Sequence, residues 1–479
     1  MQPTEYVRNI RNQRLKSDQR ENVERILKVS EGFHSDAGIG FSGREIDSRT
    51  IVIESGHQPN FFPHAGTWKK AFLGDYLSKK IPGSIFLFGF ADQNLSTAQV
   101  LSQSRVPAAT RNGSLSIGFK IPDKEKWKTF DSIEKPVPED FEKEISKLKG
   151  HYPKGFEEME ALLRESYERA DNLADMNSFI YANLCARWGL SAYFFRYSDV
   201  QDAGLFAKEY ARLLSDSRRY NSIYANVIEK EGISDMRPLP PDSAPFWLHC
   251  SCGGNVQMRL HSGMLSGECA ICKEKVEFPA ERLGDYVSHL SPAAVSRNII
   301  FAEGLGSSIF ISGAGGGLSY GKISDAISKE LHYVLPSTLA WKGRDYYLGK
   351  THRAVLKDLA RNLGVDSFDS KENVHARFEE RKRELTEAMA SSQDRKMRQK
   401  YGGQLKMLEV QLGIAKEVFS LLPSFIDELI YVGFPAVLEA WEKTIAGAQV
   451  EREGAAYVMK ADTVFDAGAD KAYKALADL

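Results

Sequence analysis

Two histidines and a glutamine stand close together in a polar turn near the start of the chain, where they form a candidate anion site. The turn covers residues 56–66 (GHQPNFFPHAG), after a short apolar run and before a helical pattern. Free N–H groups and the dipole at a helix N-terminus favour an anion, and imidazole and amide groups hydrogen-bond to phosphate oxygens. The pattern predicts a site for a nucleotide phosphate or a carboxylate; the alternative is an ordinary turn shaped by its two prolines. The candidate contacts are His57, Gln58, Asn60 and His64.

Four cysteines further along the chain are spaced as metal ligands. They form a C-x-C pair and a C-x-x-C pair separated by sixteen residues. This spacing suits two turns that bring four thiolates to one tetrahedral Zn²⁺, and a closed set of four predicts a structural ion. The alternative is a set of three cysteines with His249, which would leave Cys250 spare. The predicted ligands are Cys250, Cys252, Cys269 and Cys272.

A glycine-rich segment later in the chain is a second candidate contact for a ligand. Residues 316–322 (GGLSYGK) match G-x-x-x-x-G-K between a strand pattern and a helical pattern over residues 323–331. The match stops short of a phosphate-binding P-loop, because Ile323 occupies the position of the Mg²⁺-binding Ser or Thr. We therefore expect only that the glycines let the backbone approach a ligand or a neighbouring helix closely. The candidate contacts are Gly313, Gly315, Gly316, Tyr320 and Lys322.

The elements that must position these residues predict an α/β fold. Apolar runs at residues 51–53 and 84–90 flank a helical pattern over residues 64–80, and residues 307–331 repeat the order of strand, glycine segment and helix. Strand, helix and strand in this order form a parallel unit, whose ligands collect at the carboxyl ends of the strands. Asp92 follows the second apolar run and is therefore expected at the ligand.

The last third of the chain predicts a helical hairpin. Apolar residues step by three and four, as in the seam of a coiled coil. Because two glycines at 402 and 403 interrupt the pattern, we predict two antiparallel helices, over residues 371–400 and 404–422. The seam residues are Leu405, Leu408, Leu412, Ala415, Phe419 and Leu422.

The whole chain divides into six predicted segments. These are an N-terminal arm (1–49), the first part of a parallel-sheet core with a helical insertion (50–245), a zinc-ribbon insert (246–283), the second part of the core with the glycine-rich segment (284–365), a coiled-coil hairpin (366–435) and a C-terminal helical segment (436–479). At 479 residues the chain is long enough for several domains or for one domain with insertions.

Charge and composition exclude several classes of partner. Lys plus Arg (63) nearly balance Asp plus Glu (64), so no net field gathers nucleic acid or an anionic membrane surface. Residues 1–20 are polar and charged, and no apolar run approaches the roughly 20 residues of a membrane span. We expect neither a signal peptide nor a membrane partner. Four of the five cysteines are clustered, which is typical of a reducing compartment, so a cytoplasmic location is expected.

The order of the motifs over residues 51–430 resembles that of the bacillithiol-biosynthesis cysteine-adding enzyme (BshC) family. The family's G-Q-Q turn is similar to residues 56–58, with His in place of the first Gln, and its E-D-H-D segment is similar to residues 91–94, where only the Asp is kept. Its S-P-x-x-x-x-R segment resembles residues 291–297, and its G-G-P-G-E loop resembles residues 312–317 without the Glu. The zinc-ribbon insert lies outside the family pattern.

This resemblance implies a fold, an activity and roles for particular residues. The fold is a Rossmann-like parallel-sheet core with helical insertions and an antiparallel helical coiled coil that pairs two chains as a homodimer. The activity is that of a ligase, which joins an amino acid to an amino-sugar or similar amine acceptor with ATP or ADP bound in the core. The resemblance also implies that Asp92 holds a ribose hydroxyl, an amine or a metal, and that Arg297 clamps a carboxylate or phosphate; the alternative for Arg297 is a structural ion pair.

Three functions follow, in order of preference. The first is a ligase-like enzyme that forms an amide bond with a small-molecule substrate, in which the protein aligns the partners and stabilises charge on phosphate and carbonyl oxygens. The second is a non-catalytic nucleotide- or metabolite-binding homologue, which the lost acidic residues favour. The third is a zinc-containing RNA-associated protein, which the balanced charge disfavours. No general base is identifiable from the sequence.

Overall fold

The computed structural model of the chain describes residues 3–8, 14–234, 236–365 and 368–477. Residues 1, 366, 367 and 479, at the predicted segment boundaries, lie outside the described residues. The strands are β1 Ile51–His57, β2 Ser84–Phe90, β3 Gln103–Pro107, β4 Ser114–Gly118, β5 Tyr193–Arg196, β6 Ser243–His249, β7 Asn255–His261, β8 Met264–Glu268, β9 Lys275–Pro279, β10 Leu290–Pro292, β11 Ile309–Ser312, β12 Ser337–Lys342, β13 Asp345–Tyr346, β14 Val450–Glu453, β15 Ala456–Lys460 and β16 Thr463–Val464. The helices are α1 Pro3–Arg8, α2 Ser17–Ala37, α3 Ala65–Lys80, α4 Pro138–His151, α5 Glu157–Arg169, α6 Leu173–Arg187, α7 Tyr197–Asp202, α8 Ala207–Ser215, α9 Ser217–Glu231, α10 Ala294–Leu305, α11 Gly316–Leu331, α12 Lys350–Leu363, α13 Lys371–Ser391, α14 Arg395–Ser420, α15 Phe425–Val432, α16 Phe434–Gly447 and α17 Ala469–Ala477.

A mostly parallel sheet forms the core, so the predicted mixed α/β class is confirmed. Its strand order is β14, β15, β12, β11, β1, β2 and β5, and only the pairing of β14 with β15 is antiparallel. The chain enters at β1, runs outward through β2 to β5, and returns on the other side of β1 with β11. The order therefore reverses between β1 and β11. In open α/β sheets, ligands bind beyond the carboxyl ends of the strands at such a reversal.

Helices cover both faces of this sheet. On one face α3 and α6 pack through large aromatic side chains, and the rings of Trp68 and Tyr181 stack with centroids 4.1 Å apart. On the other face lie α10 and α11, and α2 contributes Val23 and Ile26 to this face and Phe33 to the first. Helix α2 belongs to the predicted N-terminal arm, yet its Val23, Ile26 and Phe33 are buried. It is therefore an integral layer of the core, because a helix with this apolar spacing has an apolar face that must be buried.

The glycine-rich segment is mostly helical. Helix α11 begins at Gly316, whereas the pattern predicted a loop that lasts to residue 322. Buried Ile323 and Ile327 anchor the helix against the sheet, and this packing outweighs the cost of glycine in a helix, about 1 kcal/mol each. Only residues 313–315 separate β11 from α11, which leaves no room for a P-loop.

The helical hairpin breaks earlier than predicted. Helices α13 and α14 meet at residues 392–394, where the Asp394 side chain caps α14 by accepting from the Lys396 N–H at 2.8 Å. The predicted break at Gly402 and Gly403 was wrong, because a capping aspartate is a stronger helix start than two tolerated glycines. Helices α12 and α17 of the same chain cover the seam residues Leu408, Ala415 and Phe419. This part of the seam is therefore buried by contacts within one chain.

A second, antiparallel sheet carries the cysteines. Its order is β10, β6, β7, β8 and β9, and it agrees with a small ribbon inserted between the two parts of the core. The part of the chain that the structure describes contains no helix with the length and apolar character to cross a membrane.

Candidate active-site cleft and metal centre

A cleft of about 710 Å³ opens beyond the carboxyl ends of β1 and β11, where the strand order reverses. Its walls are the turn after β1, the start of α3, the glycine segment after β11, helix α10 and parts of residues 341–347 and 422–428. The structure thus brings together sequence motifs that lie more than two hundred residues apart. The predicted site residues that line the cleft are His57, Gln58, His64, Arg297, Gly313, Gly315 and Tyr320.

The other predicted contacts lie elsewhere. Asp92 is buried and accepts hydrogen bonds from the backbone N–H of Ser198, at 3.0 Å, and from its hydroxyl, so it faces α7 instead of the cleft. Asn60 is part of the turn but does not line the cleft. Lys322 forms an ion pair with Glu231 at 2.9 Å beside a separate cavity. Gly316 is the first residue of α11.

The two histidines of the turn present opposite hydrogen-bonding characters. His57 Nδ1–H donates to the carbonyl oxygen of Gln58 at 2.7 Å, which leaves Nε2 with a lone pair. His64 caps α3, and its Nδ1 accepts from the Gly66 N–H at 3.1 Å, which leaves Nε2–H as a donor. Burial and then the charge of Lys70 hold the pKa of His57 well below its usual value, so its imidazole is neutral at pH 7.

Two cations that form no ion pair among the described residues lie beside these histidines. Lys70, on α3, is buried, and its ammonium donates to the Gly56 carbonyl oxygen; no carboxylate of the described residues forms an ion pair with it. Burial, followed by the charge of Arg297, lowers the pKa of Lys70 to about 7. Arg297, on α10, stacks over Tyr197 with its Cζ 5.0 Å from the ring centre, and its buried Nη1 has no hydrogen-bond partner within the described chain. Buried polar groups are normally paired, so this end of the cleft fits an anion.

A buried carboxyl group lies under the two cations. Glu54, on β1, accepts a hydrogen bond from the Ser307 hydroxyl at 2.8 Å. Burial raises its pKa to about 7, against the opposing effects of Ser307 and Arg297. Glu54 lines the cleft and also borders a second cavity of about 650 Å³ on the far side of Phe310. At neutral pH this carboxyl group is therefore only partly ionised, and it does not cancel both cations.

A second part of the cleft wall, called the acidic wall, carries two buried carboxyl groups, and the cations Lys342 and Arg344 also line the cleft there. Asp345 and Glu428 both line it, and both are buried. Asp345 is tied to the interior by the ammonium of Lys69, 2.5 Å away, and by Trp441 Nε1–H, which donates at 2.9 Å. Burial and then the neighbouring Asp345 raise the pKa of Glu428 well above its usual value. The cleft therefore has a cationic end and an acidic end. The cationic end would attract an anion, and the acidic end would attract a protonated amine.

Sequence reasoning missed four of these groups. Glu54 carried a signal, because a carboxylate inside an apolar strand is costly unless it has a special role. Lys70 stands in a helix with other lysines, and nothing in the pattern marked it as buried. Asp345 and Glu428 belong to segments far from each other and from the turn, so only the tertiary structure shows that they share a cleft.

The four cysteines of the ribbon converge on one point. Their sulfur atoms all lie within 4.8 Å of one another, with Cys250 and Cys272 at 3.5 Å and Cys252 and Cys269 at 3.5 Å. Four sulfurs around a tetrahedral Zn²⁺ stand about 3.8 Å apart, so the cluster fits a structural zinc ion. His249 is engaged elsewhere, since its Nε2 is 2.7 Å from the Ser291 hydroxyl. The set of four cysteines is therefore favoured over the set with histidine.

The turn that carries Cys250 and Cys252 is hydrogen-bonded to the loop after β2. The carbonyl oxygen of Gly253 accepts from the Thr129 N–H at 2.8 Å, and the Asp131 N–H donates to the Asp92 carbonyl oxygen at 3.1 Å. Gly254 must lack a side chain, because a Cβ there would stand 2.8 Å from Cys269 Sγ. The cysteine cluster thus stabilises a segment that continues from a central strand.

No protein-family model matches this chain, and no curated protein is significantly similar to it in sequence. The residues that line the cleft are therefore the basis for the functional argument. They provide the buried ammonium of Lys70, the guanidinium of Arg297, one neutral imidazole with a free lone pair, and a pair of buried carboxyl groups.

Proposed function

We propose that the cleft is the active site of a ligase-like enzyme that joins an amino acid to an amine acceptor, with nucleotide phosphate at the cationic end. The observation that carries this proposal is the pair of cations at the carboxyl edge of the sheet: Lys70 is buried, Arg297 has a buried Nη1 without a hydrogen-bond partner, and neither forms an ion pair among the described residues. Amide formation from a carboxylate requires its activation, and phosphate is the group that such a cationic end would hold. The acidic wall opposite supports an amine as the second partner.

The topology supports the finer fold that we propose, a Rossmann-like core. Numbered along the chain, its six parallel strands run in the order 3-2-1-4-5-6, which is the order of doubly wound nucleotide-binding sheets. The order of the motifs is also why we propose kinship with the cysteine-adding enzyme family, whose reaction joins an amino acid to an amino sugar. ATP or ADP is the nucleotide that this proposal requires.

Each group of the cationic end would have a defined task. Lys70 and Arg297 would bind phosphate or carboxylate oxygens, and the fork of the arginine suits two oxygens at once. The backbone at Gly313 and Gly315 lies open, since no atom comes within 4 Å of a Cβ built on either glycine. His57 Nε2 is placed to accept a proton, and His64 Nε2–H is placed to donate a hydrogen bond.

Thermal unfolding with ATP, ADP, AMP and pyrophosphate at millimolar concentration tests the proposal. A ligand at a hundred times its Kd stabilises the native state by about 2.7 kcal/mol, so at least one nucleotide should raise the midpoint. The Lys70→Met and Arg297→Gln variants should lose this shift, whereas Lys80→Met, at the exposed end of the same helix, should keep it. The proposal is rejected if none of the four compounds shifts the wild-type midpoint.

We also propose that the helical hairpin pairs two chains. Met407 and Val410, one turn apart on α14, are 49% and 41% exposed, and Leu422 beyond its end is 58% exposed. Exposed apolar side chains at this spacing fit a helix of a second copy.

A further inference from the structure

Among the buried side chains of the acidic wall, two carboxyl groups share one ammonium ion; the cations Lys342 and Arg344 also line the cleft there but are not buried. Asp345 comes from the short strand β13, Glu428 from α15 and Lys69 from α3. The side chains of Lys69 and Asp345 are 1% and 2% exposed and form an ion pair at 2.5 Å. Glu428 is 2% exposed and also lines the cleft. One ammonium therefore balances one carboxylate, and the second carboxyl group has no cation of its own in this arrangement.

The hydrogen-bonding pattern shows how the second carboxyl group is accommodated. Glu428 Oε1 is buried and receives no hydrogen bond from a donor group among the residues described. Its neighbour is the carboxyl group of Asp345, and two carboxylates in contact are stable only with a proton between them. Burial and Asp345 both raise the pKa of Glu428, which agrees with a proton shared by the two groups.

The other groups around this pair are already engaged. Asp427, next to Glu428 on α15, accepts from the hydroxyl groups of Tyr152, at 2.8 Å, and Tyr347. Trp441 Nε1–H is bonded to Asp345 from α16, and the ammonium of Lys69 approaches from α3. Burial lowers the pKa of His64 at the start of α3, and the charge of Asp345 opposes this effect. What remains open is the side of the carboxyl pair that faces the cleft.

We propose that Glu428 and Asp345 bind the acceptor amine as a primary ammonium ion and that Glu428 then takes one proton from it. This inference rests on the proposed ligase function and names the chemical class of its second substrate. A primary ammonium ion carries three N–H donors, which match the acceptor oxygens of the pair. It also supplies the cation that the second carboxyl group lacks. The cationic end, with Lys70 and Arg297, would hold the activated carboxylate on the other side of the same cleft.

Every proton in this step can be followed from its donor to its acceptor. Before binding, the pair holds one proton; on binding, that proton leaves to solvent, and the ammonium ion faces two carboxylates balanced by itself and Lys69. Transfer of one N–H proton to Glu428 then leaves a neutral nitrogen with a lone pair. That lone pair forms the new carbon–nitrogen bond as the bond from the carbonyl carbon to the phosphate oxygen breaks. The positively charged nitrogen of the addition product then loses its second N–H proton to solvent water, and the phosphate leaves as an anion.

Calorimetry of ammonium binding tests the inference without turnover. Methylammonium and glucosamine would be titrated at pH 6.5 in two buffers of different ionisation enthalpy, neither of which is a primary amine. We expect release of about one proton for each ammonium ion bound, because the shared proton is displaced. Glu428→Gln should abolish that release and weaken binding about tenfold or more, as expected for loss of a charged hydrogen-bond partner. Glu439→Gln, on exposed α16 surface, is the matched control.

Three outcomes overturn the inference. They are no binding of either amine by the wild-type protein, binding without proton release, and unchanged proton release in Glu428→Gln. The thermal midpoint of each variant shows that it is folded. Pyrophosphate binding, measured in the same variants, separates the two proposals: it should be unchanged in Glu428→Gln. If pyrophosphate and nucleotides fail to bind while the amines bind with proton release, the ligase proposal fails and the ammonium site stands.

Discussion

The ammonium of Lys69 lies 2.5 Å from Asp345 Oδ1, and both side chains are buried beneath the acidic wall of the cleft. Lys69 also lies over the ring of Trp341, with its Nζ 4.4 Å from the ring centre. This ion pair joins α3, which starts at the end of the polar turn 56–66, to β13, which carries the first carboxyl group of the acidic wall. The two ends of the cleft are therefore held by one helix.

Lys69→Met should destabilise the protein strongly. Removal of one partner of a buried ion pair leaves an uncompensated charge and typically costs about 3 to 5 kcal/mol. Urea unfolding followed by circular dichroism measures the change. Lys443→Met removes an exposed partner of Glu439 and should change the free energy of unfolding by less than about 1 kcal/mol. Equal effects of the two substitutions would contradict the interior position of Lys69.

Anion binding should weaken as pH rises through about 7. Burial and Arg297 lower the pKa of Lys70 to about 7, so its ammonium is present below that pH and lost above it. Pyrophosphate affinity, measured by calorimetry, should therefore be higher at pH 6 than at pH 8.5, by about tenfold. In Lys70→Met this dependence should be much reduced, and the affinity at pH 6 should fall. If the pyrophosphate affinity of Lys70→Met still falls steeply as pH rises, a group other than Lys70 causes the pH dependence.

Gly89→Ala should disturb the cleft although Gly89 lies outside it. A Cβ at Gly89 would stand 2.3 Å from Cε1 of Tyr197, the ring on which Arg297 stacks. We expect displacement of Tyr197, a loss of about 1 to 3 kcal/mol of stability from overpacking, and weaker anion binding. Gly150→Ala on α4, where no atom lies within 4 Å of the added Cβ, is the control and should be neutral or stabilising. Unchanged pyrophosphate affinity in Gly89→Ala would remove Tyr197 from the site.

The ribbon should bind one zinc ion through its four cysteines. Native mass spectrometry of the reduced protein should find one zinc, and Cys250→Ser should lose it, because Cys250 is one of the four clustered sulfurs. His249→Gln should keep the metal, since His249 contacts Ser291 instead. Chelation should unfold the ribbon, with partial loss of strand signal in circular dichroism. Loss of zinc in His249→Gln but not in Cys250→Ser would restore the alternative ligand set.

The chain should form a dimer through the helical hairpin. Gel filtration with light scattering should give twice the mass of one chain, and Met407→Glu with Val410→Glu should give a single chain, because charges replace exposed apolar contacts. Glu387→Lys, on exposed α13 surface, is the control. A wild-type mass equal to one chain would contradict the pairing.

Several features of the fold were predictable because they depend on local order along the chain. The run at residues 84–90 is a strand with those bounds, and the helix predicted over residues 64–80 begins one residue later, after the His64 cap. The two helices of the hairpin were predictable, but the position of the turn between them was not. The second helix starts after the Asp394 cap, and Gly402 and Gly403 lie inside that helix. Asp92 ends a strand as predicted, yet its side chain bonds to Ser198 and faces away from the cleft.

By itself, the sequence determined the parallel unit around residues 51–90, the cysteine cluster and the position of the polar turn 56–66 at a helix start. These follow from periodicity, spacing and capping, which act between residues close in the chain. Only the tertiary structure decided that Lys70 and Arg297 line one cleft together with Asp345 and Glu428, and that the Arg297 Nη1 is buried without a hydrogen-bond partner among the described residues. Such contacts join distant segments, and their charge states depend on burial, which no local pattern records.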